Sequence, residues 1–348
     1  MSVHNLENIF TDNAPVFIVA ELSANHNHKL EVAIETIIAA KKAGADAIKV
    51  QTYTPDTLTI DSDKACFKLT QGTLWDGKTL YQLYQEAYTP WDWQPQLKKV
   101  AEQEGLIFFS TPFDKSAVDF LETMDVPLYK VASFEITDIP LIEYIASKNK
   151  PVILSTGIAE LTDIEEAIGA CRRMGNEQIA LLKCTSAYPA PLEEVNLLTI
   201  PDMIERFNTV VGLSDHTLGI SVPISAVSLG AKIIEKHFIL DRTLGGPDAA
   251  FSIEPHELTA MVQAIRDVEK ALGKVSYDLS DLVAKNKVFS RSLFVVEDIK
   301  KGQLFTEKNI RSIRPGNGMA PKHLPQILNK QASRDLEKGT PLDWDMIE

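Results

Sequence analysis

The chain has 348 residues, of which 45% are hydrophobic and 24% are charged, and its formal net charge is −13. This composition is typical of a soluble globular protein with a sizeable core, and its acidity argues against a nucleic-acid-binding protein. No apolar run approaches the ~20 residues that span a bilayer, and the N-terminal segment lacks the basic and apolar regions of a signal peptide. Cys66, Cys171 and Cys184 show neither disulfide-type nor metal-type spacing, so we expect a reducing, cytoplasmic location.

Charge is distributed unevenly along the chain. From Lys285 onward there are 12 basic and 8 acidic residues, a net charge of +4, whereas the remainder carries 23 basic and 40 acidic residues, a net charge of −17. The spacing of apolar residues also changes near this point. We therefore predict a large domain at residues 1–273, a linker at 274–287 and a small domain at 288–348.

The large domain shows eight alternations of a short apolar run with a helical pattern. The predicted strands are 16–20, 47–51, 107–110, 128–132, 152–155, 179–184, 210–213 and 231–236. The predicted helices are 30–43, 91–104, 115–124, 141–147, 163–174, 197–207, 220–229 and 257–272, with a further short helix at 80–87 inside a long insertion, 52–90. Eight such units predict a closed (β/α)8 TIM barrel. A doubly wound open sheet is the alternative, which the lack of a glycine fingerprint disfavours.

Two histidines follow the last two predicted strands. His216 comes after 210–213 and His237 after 231–236. Neighbouring parallel strands would bring them together, and neutral imidazoles at strand ends suit a divalent metal. The alternative is two unrelated core or surface histidines.

Lysines and hydroxyls occur near the other strand ends. Lys49 and Lys130 lie inside apolar runs, where an unpaired ammonium would be costly. Either a structural carboxylate or an anionic ligand would compensate them. The accompanying hydroxyls predict a site for phosphate and carboxylate; they are Thr111, Ser133, Ser155, Ser186 and Ser214. A Schiff-base lysine of the aldolase type, Lys130 or Lys183, stays open.

Three acidic residues are further candidates. Glu21 and Glu135 are placed to act as general acid or base, or to bind substrate hydroxyls. Asp248 lies in a glycine-rich loop after the eighth strand, where a solvated loop residue is the simpler interpretation.

Taken together, these motifs resemble those of the sialic-acid synthase family. The matching segments, in order, are 20–27, 49–53, 109–114, 129–135, 155–157, 212–217, 234–238 and 312–318. Within that family, Glu-Leu-Ser-Ala-Asn-His-Asn at 21–27 is most similar to the branch that makes pseudaminic acid. His28 stands where relatives usually have glycine, a departure expected to alter the shape of this loop.

The resemblance implies condensation of phosphoenolpyruvate with an acetamido sugar in its open-chain aldehyde form. For this branch the sugar is 2,4-diacetamido-2,4,6-trideoxy-L-altrose; N-acetylneuraminate or legionaminate synthesis from another acetamido sugar is the alternative. It implies that His216 and His237 hold a divalent metal, manganese or else magnesium or cobalt, and that they act in catalysis with Glu21 and Glu135. The phosphoenolpyruvate-binding residues would be Lys49, Thr111, Lys130, Ser133, Ser155, Ser186 and Ser214.

The resemblance also extends to the small domain, which is similar to an antifreeze-like (SAF, β-clip) domain. It implies a domain-swapped homodimer in which Arg314 reaches the sugar of the partner chain, beside Tyr188 and Asp248. No nucleic-acid or membrane partner is expected. A Schiff-base aldolase and a non-catalytic sugar-binding protein are the competing hypotheses.

Overall fold

The computed structural model describes residues 14–70, 72 and 74–348. The N-terminal segment assessed for a signal peptide therefore lies outside the described residues, as do residues 71 and 73 of the predicted insertion. The chain divides after Gly273 into two compact units, 1–273 and 274–348. Among the described helices, none is long and apolar enough to cross a membrane.

The first unit is a closed barrel of eight parallel strands, which follow one another around the barrel in chain order. The predicted TIM barrel is confirmed, and the open-sheet alternative is wrong. The strands are β1 Phe17–Glu21, β2 Ala47–Thr52, β3 Ile107–Pro112, β4 Tyr129–Val131, β5 Val152–Ser155, β6 Ile179–Cys184, β7 Val210–Asp215 and β8 Ile233–His237.

Helices follow the strands, close to the predicted positions. They are α1 Leu30–Lys42, α2 Pro55–Leu58, α3 Leu80–Ala87, α4 Gln94–Glu104, α5 Lys115–Thr123, α6 Ile139–Ala146, α7 Leu161–Arg173, α8 Thr199–Phe207, α9 Ser221–Ser228 and α10 Pro255–Leu272. The helix predicted at 91–104 begins as a 3-10 turn, Trp91–Trp93, before α4 continues it.

Side chains alternate along each strand between the barrel interior and the surrounding helices. Nine apolar residues form a packed interior layer: Phe17, Val19, Ala47, Phe109, Leu128, Ile153, Ala180, Leu182 and Ile233. The next inward position lies two residues further along the strand, towards its carboxyl end. These positions are polar on every strand: Glu21, Lys49, Thr111, Lys130, Ser155, Cys184, Ser214 and Glu235. The barrel interior therefore changes from an apolar layer to a charged layer within two residues along each strand.

Gly212 sets the spacing between β7 and β8 at the boundary of these two layers. A Cβ at this position would lie 2.3 Å from the Ile233 carbonyl oxygen and 2.7 Å from Leu182 Cδ2. Only glycine permits this approach without a shift of the backbone. The close contact holds β8 beside β7 just below Ser214 and Glu235.

The second unit has its own apolar core and its own two-stranded sheet. Strands β9 Ser292–Val295 and β10 Ile310–Ile313 pair in antiparallel fashion. The short helices α11 Asp281–Lys285 and α12 Leu324–Ile327 belong to this unit, so the predicted linker is partly helical. Outside these strands, Ile299 forms an isolated antiparallel bridge with Leu336.

Candidate active site

Two buried lysines and two buried glutamates form an ion-pair network in the charged layer. Lys49 Nζ lies 2.7 Å from Glu21 Oε2 and 3.7 Å from Glu235 Oε1. Lys130 Nζ lies 3.8 Å from the same Glu235 oxygen. The strand register accounts for this arrangement, because Glu21 pairs with Lys49 across β1 and β2. The structural-carboxylate interpretation of the lysines therefore holds, and anion binding stays a prediction.

The two carboxyl groups of this network have pKa values that are shifted in opposite directions. Burial raises the pKa of Glu21, and Lys49 only partly opposes this rise. Burial would likewise raise the pKa of Glu235, but Lys130 and Lys49 outweigh it and the pKa is lowered. Glu235 therefore carries the firmer negative charge of the two carboxyls, at the point where both ammonium groups meet.

Both lysines also donate to hydroxyl groups. Lys130 Nζ donates to Ser155 Oγ at 2.6 Å, and Lys49 Nζ donates to Thr111 Oγ1 at 3.3 Å. Ser214 Oγ donates to Glu235 Oε1 at 3.2 Å. The predicted lysines and three of the predicted hydroxyls are thus gathered in one layer, which is the composition that an anionic phosphate or carboxylate requires.

The remaining predicted serines gather around Gly157. A Cβ on this glycine would lie 2.1 Å from Ser186 Oγ, 2.7 Å from Ser133 Oγ and 3.1 Å from Cys184 Sγ. Ser133 Oγ also accepts a hydrogen bond from the Gly157 backbone N–H at 3.1 Å. A larger residue at 157 would occupy the space that these side chains share.

His216 and His237 are brought together as predicted. Their ring centroids are 5.2 Å apart. His216 Nδ1 faces the Thr185 carbonyl oxygen at 3.0 Å, which places the proton on Nδ1 and leaves Nε2 as the available ligand atom. His237 Nδ1 is buried and has no hydrogen-bond partner among the described residues.

These two rings fit a divalent cation. Burial lowers the pKa of His237 well below its usual value, so this ring is neutral at pH 7. Burial also lowers the pKa of His216, but contacts with Cys184 and Thr185 raise it by more. Cation binding requires the neutral ring with its proton on Nδ1, which is the tautomer that the contact with Thr185 favours. Asp248 Oδ2 lies 3.6 Å from His237 Nδ1 and offers a carboxylate beside the pair.

A second group of ligand-type side chains lies at the start of α10. The ligand atoms of Glu254, His256 and Glu257 all lie within 4.8 Å of one another. However, both carboxylates already pair with Arg242, and the side chain of His256 is 76% exposed. Since its charges are already neutralised, this group fits a metal less well than the buried histidine pair.

A buried ion pair lies behind the histidines, on the side of β7 and β8 that faces the helices. Lys236 Nζ donates to Asp215 Oδ2 at 2.5 Å and to the Thr217 carbonyl oxygen at 2.6 Å. Asp215 in turn accepts from the Thr217 N–H at 3.0 Å. The pair joins the turn that carries His216 to the strand that carries His237.

A cleft of about 400 Å³ opens over these strand ends. Glu135, Tyr188 and Asp248 line it together with His237. Asp248 accepts a hydrogen bond from Ser23 Oγ at 2.5 Å, so the interpretation of Asp248 as a solvated loop residue is wrong. Burial raises the pKa of Glu135 to about 7, against an opposing effect of Lys130. Its Oε2 atom has no hydrogen-bond partner among the described residues.

The loop that carries Ser23 tolerates histidine in place of glycine. His28 adopts a left-handed conformation with φ of 50°. Its N–H donates to His26 Nδ1 at 3.1 Å, and its ring packs at 5.4 Å from that of Tyr88. These contacts offset the strain of a left-handed residue that has a side chain.

One predicted residue of the first unit lies away from this cluster. Lys183 follows Leu182 of the interior layer, so strand alternation turns its side chain out of the barrel, where it donates to the Cys184 carbonyl oxygen at 2.9 Å. Its role as a nucleophile beside Lys130 is therefore disfavoured. Arg314 is exposed and lies just after β10 in the second unit.

Sequence reasoning missed Glu235, Gln51 and Cys184. Glu235 lies two residues before His237 and therefore shares its inward face, a signal that strand alternation alone contains. Gln51 donates to Glu21 Oε1 at 3.0 Å and to Ser23 Oγ at 2.9 Å. Contacts with His216 lower the pKa of Cys184 to about 7, although burial opposes them.

The chain is similar to known proteins over both units. The profile of the NeuB family matches residues 36–277, and that of the SAF domain matches residues 290–348. The chain is 48% identical over 333 residues to a pseudaminic acid synthase of Campylobacter jejuni, with 96% of this chain and 97% of that protein covered. It is also 48% identical over 335 residues to a pseudaminic acid synthase of Helicobacter pylori, covering 96% and 98%.

A solved structure is similar as well. The N-acetylneuraminic acid synthetase of Leptospira borgpetersenii, crystallised in complex with citrate, is 33% identical with a TM-score of 0.70. The match covers 79% of this chain and 90% of that one. Since the matched families and relatives cover both units, the predicted resemblance is confirmed.

The buried pair behind the histidines gives a stability prediction. We expect Lys236→Met to lower the free energy of unfolding by about 3–5 kcal/mol, because Asp215 would stay buried without its cation. Chemical denaturation measures this change. Lys98→Met, which removes one partner of the more exposed pair with Glu102, is the control and should shift the midpoint little. An equally small change in Lys236→Met would contradict a buried charge on Asp215.

Glu135 gives a prediction for the pH dependence of stability. Its pKa is 4.5 when unperturbed and about 7 in the fold. The folded chain therefore keeps a proton that the unfolded chain has lost, and stability falls as pH rises from about 4.5 to about 7, by about 3 kcal/mol in total. Glu135→Gln should remove this fall. Urea unfolding at pH 5 and pH 8 tests it, with exposed Glu177→Gln as the control; an unchanged slope in Glu135→Gln would refute the assignment.

Proposed function

The chain belongs to the NeuB family, and from that premise we propose that it is a pseudaminic acid synthase. It would condense phosphoenolpyruvate with 2,4-diacetamido-2,4,6-trideoxy-L-altrose and water, giving pseudaminic acid and phosphate. The identity of 48% to two pseudaminic acid synthases, against 33% to an N-acetylneuraminic acid synthetase, supports this choice of sugar. The single structural observation that carries the proposal is the charged layer beneath a cleft in which Glu135 Oε2 has no hydrogen-bond partner from the described part of the chain.

Phosphoenolpyruvate would bind in the charged layer. Lys49 and Lys130 supply ammonium donors, and Ser155 and Thr111 orient them through the hydrogen bonds described above. Ser214 and the two serines around Gly157, Ser133 and Ser186, would complete the anion site. Glu235 and Glu21 already balance the charges of the two lysines. Phosphoenolpyruvate would therefore replace these carboxylates as a partner of the lysines, rather than bind ammonium groups that had no partner before.

The proposed condensation forms one carbon–carbon bond and breaks one carbon–oxygen bond. Carbon 3 of phosphoenolpyruvate bonds to the aldehyde carbon, whose oxygen takes up a proton, and water adds to carbon 2. The tetrahedral product then breaks its carbon–oxygen bond to phosphate and becomes a 2-keto acid. Glu135 suits the proton transfers because its pKa of about 7 allows it to give or to accept a proton near neutral pH. Glu21 is held by Lys49 and Gln51 and would position the reacting water.

A divalent cation, for which we propose manganese, would be held by His216 and His237. When bound it supplies a Lewis acid that polarises the aldehyde oxygen. Asp248 and Tyr188 would bind sugar hydroxyls from the same side of the cleft. Because phosphoenolpyruvate is a central metabolite, we also propose a cytoplasmic location.

We further propose that the enzyme is a domain-swapped homodimer in which Arg314 of one chain contacts the sugar bound by the other. The opposite net charges of the two parts of the sequence, −17 and +4, favour such an association.

The first test is release of phosphate from phosphoenolpyruvate with candidate aldoses. We expect turnover with the diacetamido altrose derivative and little with N-acetylmannosamine. Lys130→Met should lower kcat/KM by about 10²-fold or more, because a charge that stabilises the phosphate is lost. Lys183→Met, whose side chain lies outside the barrel interior, is the matched control. Turnover of N-acetylmannosamine without turnover of the altrose derivative would show that the assignment of the sugar is wrong.

Two further arms of the same assay separate the mechanisms. Removal of metal by a chelator should abolish turnover, and added Mn²⁺ should restore it. Burial lowers the pKa of Lys130, an observation that favours a Schiff-base aldolase. Borohydride in the presence of a keto acid would then trap a lysine adduct, which the proposed condensation does not form.

The domain swap is tested by hybrid dimers made from two differently tagged, co-expressed chains. One chain carries Arg314→Ala and the other carries Lys130→Met. If Arg314 acts on the partner chain, the hybrid has one intact site and keeps about half of the wild-type activity. The two parent homodimers serve as controls with low activity. A hybrid no more active than they are would show that Arg314 acts within its own chain.

A further inference from the structure

The cleft has a polar floor and an apolar wall, which come from different parts of the chain. The floor consists of residues at or near the strand ends, namely Ser23, Gln51, Glu135, His237 and Asp248. The wall consists largely of side chains from the segment between β2 and α4. Its members are Tyr53, Leu58, Leu69, Leu80, Leu83, Tyr84 and Ala87.

Helix α3 supplies the centre of this wall. Leu80, Leu83, Tyr84 and Ala87 recur at the spacing that places them on one face of a helix, and all four line the cleft. Thr79 fixes the start of the helix through a capping box with Gln82.

This apolar face is not packed into the apolar clusters found among the described residues. Leu83 is 8% exposed, yet neither it nor any other α3 residue belongs to the apolar clusters found among the described residues. The same holds for Leu58 and Leu69. An amphipathic helix normally buries its apolar face against the core, but α3 turns this face to the cleft instead.

We propose that the five wall residues without a polar side-chain atom, Leu58, Leu69, Leu80, Leu83 and Ala87, form a subsite for the methyl-bearing end of the sugar. The inference rests on the proposed function and adds to it the part of the cleft that would recognise the 6-deoxy end of the sugar. The aldehyde carbon must lie at the polar floor, where the proton-transferring groups are, so the opposite end of the sugar extends to the wall.

The subsite would discriminate because it offers no hydrogen-bond partner. Its five residues carry no polar side-chain atom, so a terminal hydroxyl in contact with them gives up its bonds to water and gains none from the subsite. A methyl group at the same position gains contact with leucine side chains. A hydrophobic pocket of this kind discriminates by about 10- to 100-fold between a substrate and an analogue with one added hydroxyl.

The test compares two sugars that differ only at the terminal carbon. These are the 2,4-diacetamido-2,4,6-trideoxy sugar and its counterpart with a hydroxyl at carbon 6. Phosphate release from phosphoenolpyruvate gives kcat/KM for each. The wild-type protein should prefer the deoxy sugar by about 10- to 100-fold. Leu80→Asn and Leu83→Asn should each reduce this preference several-fold, with the KM for phosphoenolpyruvate unchanged.

The controls isolate polarity from folding. Leu83→Met keeps the wall apolar and should keep the preference, and Ile60→Asn places the same new amide on an exposed residue outside the cleft lining. Leu80 is only half-buried, so Leu80→Asn provides a folded variant if Leu83→Asn unfolds. A preference unchanged in Leu80→Asn, or equal kcat/KM values for the two sugars, overturns the subsite alone. If the protein turns over N-acetylmannosamine but neither of the two diacetamido sugars, the proposed function and the subsite are both wrong.

Discussion

The candidate site depends on one constraint, the burial of two lysines and two glutamates inside a closed barrel. Ammonium and carboxylate groups lose several kcal/mol each on leaving water, and they are tolerated only where partners are fixed close by. The register between β1 and β2 and that between β7 and β8 fix those partners, because Glu21 faces Lys49 and Ser214 faces Glu235. The apolar layer below excludes water, so the interactions among these charges are stronger than they would be at the surface.

Much of this layer could be predicted from sequence. The apolar runs located the strands, and a lysine inside such a run could only be paired or bound to an anion. Glu235 was missed because the run that contains it was treated as one apolar strand, whereas alternation from His237 would have placed it inside the barrel. The partner of each lysine could not be predicted, since it depends on the register between strands that are distant in sequence.

The wall of the cleft shows a different limit. The bounds of α3 were predicted correctly at 80–87, and its apolar face follows from helical spacing. Periodicity identifies which side chains share a face, but it does not identify what that face meets. Only the packing reveals that Leu80 and Leu83 face a cavity.

The charged layer and the wall of the cleft differ in how freely their residues can be replaced. Lys49 contacts Glu21, Glu235 and Thr111, so replacing it leaves several buried polar groups without partners. The apolar face of α3 belongs to none of the core clusters formed by the described residues, so replacing the half-buried Leu80 alters the cleft at little cost to the fold. A constrained charged layer suits the phosphoenolpyruvate half of the proposed reaction, whose chemistry is the same for every sugar. A loosely constrained wall suits the half that must differ between one acetamido sugar and the next. Specificity for the sugar can therefore diverge without disturbing the charges that the shared chemistry needs.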